Sequence, residues 1–509
     1  MRIIHWRTPV FAGLALALAG LVVFGARQTR KALAADRWQT CTVTAHWDHV
    51  AGLSKTLATL QVVVNPPLRR GSPIHDRVFD ALRGLGADNV RYVPWLPYPK
   101  LAVAELKPPA NGKTSWNFSL IDPMMEDFMN ATSGHPVIIN FSTIPQWMFK
   151  TPKPVAYPDD PDQPVWNYEQ GTELRDPSMK EVAAYYGRLA SWYTRGGFKD
   201  EYGKEHASGH HYKIAYWEIL NEVDFEHHMN PQFYTAIYDS IADAIHKADP
   251  QIKFVGMALA DPSHEPQFFE YFLNHRNHKA GIPLNMISYH FYASPPADEP
   301  AEAWQYTFFD QASRFLSVVR YIQAIRQRLS PETKTDIDEI GAILPDDNVT
   351  PRGPIPGFYW NLCSSMYAYL YGNFARLGVD IAGESQLVGY PSQFPSVSMV
   401  NWRTGQPNAR FWTLALLRRN LGPGDKLVDV HTSVPYVYAE GFITPGGERK
   451  ILLANERNRP FDIAITGAAG GMEEYVDQTT GEHPPASVKL AGGTLQLGGF
   501  GVAIVTLPR

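Results

Sequence analysis

The order of hydrophobic and polar positions along the chain predicts strands that alternate with helices. Short runs rich in apolar and β-branched residues recur, and most precede a longer stretch with the apolar spacing of an amphipathic helix, as at residues 76–82. Strands in strict alternation with helices form a parallel sheet, and eight of them close a barrel. The predicted strands are residues 60–64, 89–94, 136–141, 214–220, 254–258, 286–291, 336–340 and 379–383.

We therefore predict an α/β fold built on a (β/α)8 TIM barrel. An open, doubly wound parallel sheet is the alternative for the same pattern. That fold commonly binds a nucleotide through a glycine-rich loop after its first strand, and neither G-x-G-x-x-G nor G-x-x-x-x-G-K-[ST] follows residues 60–64. The missing motif favours the barrel.

The pattern changes after Asn420, where Leu-Gly-Pro-Gly breaks the last helix. Short apolar runs then alternate with Gly, Asn and Pro turns, which is typical of an all-β domain such as a sandwich. The strand-like residues 40–45 could join this domain from the N-terminal side. The predicted segments are a signal peptide or membrane anchor in residues 1–35, a catalytic barrel in 36–420 and a β-sandwich in 421–509.

The N-terminal segment concerns the location of the protein. Residues 8–26 carry no charge and lie between basic residues on both sides. Their length is close to the roughly 20 residues that span a bilayer as a helix, so a membrane anchor is one interpretation. Ala32-Leu33-Ala34 has the small-x-small form of a signal-peptidase site, so a cleaved signal peptide is the other. Both predict export to the periplasm or the extracellular space.

Composition excludes several classes of protein. The 44% of hydrophobic residues indicate a globular chain, and 46 basic against 51 acidic residues provide no basic field for nucleic acid. The two cysteines, Cys41 and Cys363, cannot build a disulfide framework, and we expect buried free thiols rather than a bridge. His227 and His228 beside Glu226 could suggest a metal site, but adjacent loop residues rarely share one ion, and no metal is predicted.

Polar residues follow two of the predicted strands where each strand should end. Asn221 and Glu222 follow the fourth strand, and Glu339 ends the seventh. The carboxyl ends of barrel strands carry the active site, so the two carboxylates face each other across its mouth. Carboxylates about 5–5.5 Å apart serve a retaining glycosidase, whereas an inverting enzyme separates them by about 6.5–9.5 Å. The sequence therefore predicts glycosidase chemistry.

These segments resemble glycoside hydrolase family 39, the family of β-xylosidases and α-L-iduronidases, within a clan of retaining barrel enzymes. The resemblance runs loosely from about residue 60 to the C-terminus and is most specific at Asn221-Glu222. Val223 departs from the family, whose members commonly have proline after the Glu. Residues 338–340 resemble the iduronidase form of the nucleophile segment more than the xylosidase form. The matching stretches are residues 217–224, 287–292, 338–339 and 405–410.

The resemblance implies a role for each matched residue. Glu222 would be the general acid/base and Glu339 the nucleophile. Asn221 would hydrogen-bond the 2-hydroxyl of the sugar, and His290 and Tyr292 on the sixth strand would line the subsite beside the nucleophile. The two carboxylates supply proton transfer and nucleophile, so no cofactor is expected.

Two further residues at strand ends are candidates for substrate binding. Glu339 must be ionised to attack the anomeric carbon, so a donor such as Arg91 or Tyr292 should hold it. Glu384, at the eighth strand, could bind substrate hydroxyls or pair with a basic neighbour. We include both Arg91 and Glu384 in the predicted substrate site.

Aromatic residues and one long loop could complete a sugar site. A Pro-rich insertion between Lys150 and Pro177 follows the third strand, so its Tyr157, Trp166 and Tyr168 could wall a substrate cleft or merely decorate the surface. Six tryptophans could either stack on sugars or pack in the core. They are Trp95, Trp116, Trp147, Trp166, Trp217 and Trp402.

The predicted substrate is an oligosaccharide or another glycoside, and a neutral xyloside or glucoside is slightly favoured. A uronic acid would need Arg or Lys in the cleft, and Arg91 could be consumed by Glu339 while Lys100 and Lys150 lie on loops. The alternatives are a uronide-cleaving, iduronidase-like hydrolase and a non-catalytic glycan-binding barrel protein. The oligomeric state cannot be read from the sequence.

Overall fold

The computed structural model describes residues 40–153, 157–166, 171–348 and 353–508. The predicted anchor or signal in residues 1–35 lies outside these ranges. Within the described ranges no helix is long and apolar enough to cross a membrane. The strands are β1 Thr40–Leu53, β2 Leu57–Val63, β3 Val90–Val93, β4 Val137–Ile139, β5 Gly197–Lys199, β6 Glu205–Ala207, β7 Tyr216–Ile219, β8 Lys253–Leu259, β9 Met286–Ala293, β10 Lys334–Ala342, β11 Ile381–Glu384, β12 Lys426–Thr432, β13 Val437–Ile443, β14 Arg449–Asn455, β15 Phe461–Ile465, β16 Met472–Val476, β17 Ala486–Lys489, β18 Thr494–Leu497 and β19 Val502–Thr506.

Helices connect the strands of the barrel and cover its outside. The apolar residues Val78, Phe79, Leu82 and Leu85 form one buried face of the first long helix, which ends where Gly86 adopts a left-handed conformation with φ 56°. The α-helices are α1 His75–Leu85, α2 Pro99–Ala102, α3 Asp122–Ala131, α4 Lys180–Thr194, α5 Pro231–Ala248, α6 Pro266–Phe272, α7 Trp304–Leu329, α8 Tyr359–Leu377 and α9 Ala409–Asn420.

Eight strands close into a parallel barrel in the order β10-β11-β2-β3-β4-β7-β8-β9. Strand β2 is buried along nearly its whole length, since helices cover the outside of the barrel and side chains fill its interior. Each of the eight strands overlaps one of the eight predicted apolar runs. The prediction of a (β/α)8 barrel is confirmed, and the open doubly wound alternative is wrong because the sheet has no free edge.

Strand β10 has an irregularity that determines which side chains enter the barrel. Its pairing with β9 shifts between Asp336 and Glu339, and its pairing with β11 shifts at the same place. Strict alternation along the strand would place Glu339 on the opposite side from Asp338. In the structure both carboxylates contact the interior Arg91, because the bulge turns Glu339 inward as well.

The remaining long strands form one curled nine-stranded sheet in the order β17-β16-β19-β14-β13-β12-β1-β15-β18. Phe461 and Leu495 near one edge share a buried cluster with Ile451 and Val505, so the sheet closes over its own core as a sandwich does. The described part of this domain is therefore a single continuous sheet rather than two separate ones.

Strand β1 belongs to this accessory sheet, which corrects the predicted barrel boundary at residue 36. Its start alternates between exposed Thr40 and Thr42 and buried Cys41 and Val43, the pattern of a sheet with one buried face. It pairs antiparallel with β12 and parallel with β15. The barrel begins with β2. Both cysteines are free and buried, as expected.

Helix α8 joins the barrel to the accessory sheet. The Ser365 hydroxyl donates to the Asn455 carbonyl at 2.8 Å, and Arg376 Nε donates to Glu440 Oε2 at 2.6 Å. The Tyr438 ring lies over Gly372, where a Cβ would come within 2.4 Å of the Tyr438 hydroxyl oxygen. The missing side chain at Gly372 therefore permits close packing of the two domains.

Candidate active site

A cavity of 140 Å³ opens where the barrel strands end. Strands β2, β3, β9 and β10 each contribute side chains from their carboxyl-terminal halves, as expected for a barrel enzyme. Three lining residues come from the turn after β7, and others come from the segments after β3, β4, β10 and β11. The lining residues are Gln61, Val63, Val93, Trp95, Trp166, Asn221, Glu222, Phe225, Tyr292, Glu339, Ile343, Gln386, Phe394 and Val397.

The predicted catalytic carboxylates, Glu222 and Glu339, meet in this cavity. One oxygen of each lies with a His290 ring nitrogen in a group whose atoms are all within 4.8 Å of one another. Strand β7 ends at Ile219, and the turn after it includes Leu220 at φ 66° and Glu222 at φ 41°. The Glu222 N–H donates to the Ala258 carbonyl at 2.8 Å, which ties the turn to β8.

Glu339 receives hydrogen bonds on both carboxylate oxygens. Arg91 Nη1 donates to Oε1 at 2.6 Å, and the Tyr292 hydroxyl donates to Oε2 at 2.5 Å. Two hydrogen bonds, one to each oxygen, hold the carboxylate in one orientation. The geometry therefore fixes the position of Glu339 at the cavity.

Glu222 has fewer hydrogen-bond partners than Glu339. Within the described ranges its side chain has one partner, His290, whose Nδ1 lies 3.1 Å from Glu222 Oε1. Burial raises the pKa of Glu222, the hydrogen bond to His290 opposes that shift, and the charges of Glu339 and Asp224 add to it. The side chain is 18% exposed, so it still reaches the cavity. Glu222 therefore holds its proton more tightly than an ordinary carboxyl group does.

His290 lies between the two carboxylates. Its Nε2 is 3.6 Å from Glu339 Oε1 and 3.6 Å from Asp338 Oδ1. Burial works to lower the pKa of His290, but the charges of Glu339 and Asp338 outweigh it and raise the pKa well above the usual value. A charged imidazole there balances part of the negative charge of the site.

Arg91, which the sequence analysis placed in the substrate site, is buried beneath the cavity and does not line it. It is 1% exposed, and its guanidinium donates to Glu218 at 2.5 Å and to Asn221 Oδ1 at 2.6 Å, besides Glu339. It also donates to Gln61 Oε1 at 2.6 Å. Arg91 therefore supports from below the side chains that face the cavity, and it does not itself line the cavity.

Glu384 is also not a substrate ligand in this geometry. It is 1% exposed, does not line the cavity, and accepts from Arg410 Nε at 2.8 Å. Burial raises its pKa to about 7, against the charge of Arg410. Of the two interpretations of Glu384, the structure selects pairing with a basic neighbour.

A comparison with protein families agrees with the site. The sequence model described as glycosyl hydrolases family 39 matches residues 39–340, more than half of the chain. The chain belongs to glycosyl hydrolase family 39. It is therefore a glycosidase with a carbohydrate substrate. No curated protein matches the chain significantly.

Solved structures of other glycosidases share the fold of this family 39 chain. An arabinofuranosidase of glycoside hydrolase family 51 from Xanthomonas axonopodis pv. citri aligns with a TM-score of 0.64 at 13% identity, over 92% of this chain and 100% of that one. A glucosidase from Croceicoccus marinus aligns with a TM-score of 0.60 at 15% identity, over 92% and 99%. A family 30 endoxylanase from Clostridium papyrosolvens C71 aligns with a TM-score of 0.57 at 15% identity, over 92% and 100%.

The family 39 site also contains carboxylates that the sequence analysis missed. Glu226 Oε1 accepts from Asn221 Nδ2 at 2.9 Å and from Trp95 Nε1 at 2.6 Å. Burial and the charge of Glu222 raise the pKa of Glu226 well above the usual value. The sequence feature that could have pointed to Glu226 is its position on the same loop, four residues after Glu222.

Glu218 and Asp338 form a second missed set beneath the cavity. Both are buried inside the barrel and lie within 3.0 Å of Arg91 Nε. Burial raises the pKa of Glu218 to about 7, although Arg91 opposes the shift, and Asp338 adds to it. A single Glu inside an apolar run indicates nothing by itself, so only the closed barrel brings these acids together.

The aromatic predictions divide between the cavity and the core. Trp95 and Trp166 line the cavity and pack edge to face at 5.5 Å, and Phe394 packs edge to face on Trp166 at the same distance. The Pro-rich insertion therefore contributes Trp166 to the cleft wall. Tyr157 does not line the cavity, and Tyr168 lies outside the described residues. Four of the tryptophans named in the sequence analysis do not line the cavity: Trp116, Trp147, Trp217 and Trp402.

Within the described ranges, Glu222, His290 and Glu339 are the only cluster of ligand-type side chains close enough to hold a metal ion. A cation there would compete with Arg91 and Tyr292 for the Glu339 oxygens. His227 and His228 do not form such a cluster: His227 is buried and stacks on Phe149, while His228 is exposed.

Proposed function

We propose that the protein is a retaining glycosidase in which Glu339 is the nucleophile and Glu222 the general acid/base. The observation that carries the proposal is the approach of the two carboxylates, whose nearest oxygens are within 4.8 Å. A close approach of the two carboxylates suits direct attack of one of them on the anomeric carbon, as in a retaining enzyme, whereas an inverting enzyme holds its carboxyl groups farther apart.

In the first step, a Glu339 oxygen attacks the anomeric carbon while the glycosidic bond breaks. Glu222 gives its proton to the departing oxygen, so the leaving group departs as a neutral alcohol. Arg91 and Tyr292 hold Glu339 in place for the attack. The step ends with a glycosyl ester on Glu339 and an ionised Glu222.

In the second step, Glu222 takes a proton from water, and the water oxygen attacks the anomeric carbon and displaces Glu339. Ester formation removes the negative charge of Glu339, one of the charges that raise the pKa of Glu222. Before the ester forms, the charge of Glu339 helps Glu222 to keep the proton that it will donate. After the ester forms, that charge is gone and the pKa of Glu222 falls. The change allows one group to serve in both steps.

We propose a neutral pentoside or hexoside as substrate. Among the described residues that line the cavity, none is Arg or Lys. Lys100 donates to the Asp159 carbonyl at 3.0 Å, and Lys150 pairs with Glu173. A sugar carboxylate would therefore enter a site that is rich in acidic groups and whose described lining offers no Arg or Lys to bind it.

Covalent trapping tests the catalytic assignment. An activated 2-fluoro glycoside of an accepted sugar should add one sugar mass to Glu339, because fluorine slows both steps and a good leaving group restores only the first. Asp336 and Asp338 lie on the same peptide, so fragmentation must place the mass. Label on Glu222 would invert the two roles.

The substrate assignment needs a separate panel. The parent and Glu339→Ala are each assayed for hydrolysis of aryl xylosides, glucosides, arabinofuranosides, glucuronides and iduronides. We expect the neutral glycosides to react faster than the uronides, and the first product to keep the anomeric configuration of the substrate by NMR. Faster cleavage of uronides would overturn the neutral-sugar proposal, and inverted product would overturn the retaining mechanism.

A further inference from the structure

Phe225 is an exposed aromatic side chain in the wall of the catalytic cavity. It is 68% exposed, the highest value among the large exposed hydrophobic residues of the described ranges, and it lines the cavity together with Asn221 and Glu222. Three other aromatic residues of the lining, Trp95, Trp166 and Phe394, pack against one another, and Trp95 Nε1 donates to Glu226 at 2.6 Å. Only Phe225 presents most of its ring to whatever occupies the cavity mouth.

The position of Phe225 on the chain places it on one side of the scissile bond. Its N–H donates to the Glu222 carbonyl at 2.8 Å, so the two residues share one tight turn after β7. The general acid lies next to the oxygen of the leaving group, whereas Glu339 and Tyr292 lie at the sugar that is transferred. Phe225 is therefore beside the leaving group.

We propose that Phe225 forms the platform of the leaving-group subsite and stacks on an uncharged ring, either the apolar face of a second sugar or an aryl group. The inference rests on the proposed function, because the general acid defines the leaving-group side. Aromatic faces bind such rings by contact and by removal of apolar surface from water.

The charges around the turn indicate an uncharged occupant. Asp224 precedes Phe225 and accepts from the N–H groups of Ala260 and Asp261. Asp261 and Glu265 add acidic groups on the segment after β8, and the charges of Asp224 and Asp261 help to raise the pKa of Glu265, after burial. An anionic leaving group would be repelled on this side.

The test compares leaving groups on one transferred sugar. The parent, Phe225→Ala and Phe225→Trp are assayed with a glycosyl fluoride, a 4-nitrophenyl glycoside and a disaccharide of a sugar that the parent accepts. Fluoride places no ring on Phe225. For Phe225→Ala we expect kcat/KM to fall about tenfold on the nitrophenyl glycoside and the disaccharide, and to change less than twofold on the fluoride.

Tyr202→Ala is the matched control, since Tyr202 is also an exposed aromatic, at 49%, but lies in the turn between β5 and β6 and not in the cavity. It should leave all three substrates unchanged, and Phe225→Trp should keep the activity on the ring-bearing ones. An equal fall on the fluoride would show that Phe225 only supports the Glu222 turn, and no fall on any substrate would also overturn the inference. Failure of the parent to cleave any member of the aryl glycoside panel would instead count against the proposed function.

Discussion

The hydroxyl of Tyr292 donates to Oε2 of Glu339 at 2.5 Å. The other oxygen of the carboxylate accepts from Arg91, so neither oxygen is free to turn away from the sugar. Arg91 also holds Asn221 and contacts Asp338, so one buried cation links the nucleophile to the residue proposed to read the sugar 2-hydroxyl. Arg91 therefore fixes the positions of Glu339 and Asn221 relative to each other from inside the barrel.

Loss of the Tyr292 hydroxyl should slow the reaction without unfolding the protein. We expect Tyr292→Phe to lower kcat/KM by about tenfold or more, because small misplacement of a reacting group is sufficient for such a loss. The measurement is steady-state kinetics on an aryl glycoside. Ser385→Ala is the control, since Ser385 contacts Tyr292 but not Glu339. An equal loss in both variants would show that Ser385 and Tyr292 only act together as a support.

The raised pKa of Glu222 predicts the alkaline side of the pH profile. The general acid must be protonated, so kcat/KM should fall as pH rises through that pKa, above the range of an ordinary carboxyl group. In Glu222→Ala this alkaline fall should disappear for a dinitrophenyl glycoside, whose leaving group needs no proton. Persistence of the same fall in Glu222→Ala would assign it to another group.

Glu226 should act on the substrate through Asn221. Glu226→Gln keeps an acceptor for Asn221 and Trp95, so it should retain activity within about threefold. Glu226→Ala frees the Asn221 amide, and we expect about a tenfold loss of kcat/KM on a normal glycoside.

A 2-deoxy glycoside separates this role from a general structural one. If Glu226 positions Asn221 for the 2-hydroxyl, the loss in Glu226→Ala should be much smaller on the 2-deoxy substrate. Equal losses on both substrates would contradict the positioning role, and the melting temperature of each variant checks its fold.

Glu105 provides a prediction for stability. Burial, followed by the charge of Glu201, raises its pKa to about 8. The folded carboxyl then binds its proton more tightly than the unfolded one, so its contribution to stability is complete below about pH 4.5 and is lost as pH rises to about 8. Glu105→Gln cannot ionise and should avoid this loss.

We expect Glu105→Gln to raise the free energy of unfolding by on the order of 2–4 kcal/mol at pH 8.5 and to change it little at pH 4. Denaturant unfolding at the two pH values measures the difference. Glu201→Gln is a comparison variant, because Glu201 is more exposed and contributes only a secondary charge. A gain of equal size at pH 4 would show that the effect is not ionisation.

Local pattern determined the barrel and its two main carboxylates. A strand buried on both faces is a continuous apolar run, and the run must stop where the chain turns, so the residues after it, such as Asn221 and Glu222, can be recognised without a structure. Strands β2 and β7 are buried along nearly all of their length, which explains why each could be recognised in the sequence as an apolar run. The role of Glu339 needed the same reasoning at β10, together with the family resemblance.

Only the tertiary structure decided what each charged residue contacts. Arg91 lies 127 residues from Glu218 and 248 from Glu339 along the chain, so no local pattern could show that it binds both of them. The pairing of Glu384 with Arg410, the bulge that turns Glu339 inward, and the place of β1 in the accessory sheet depend equally on distant partners. Apolar periodicity reports the solvent exposure of one segment, whereas ion pairs, strand partners and pKa shifts depend on where the folded chain places the others.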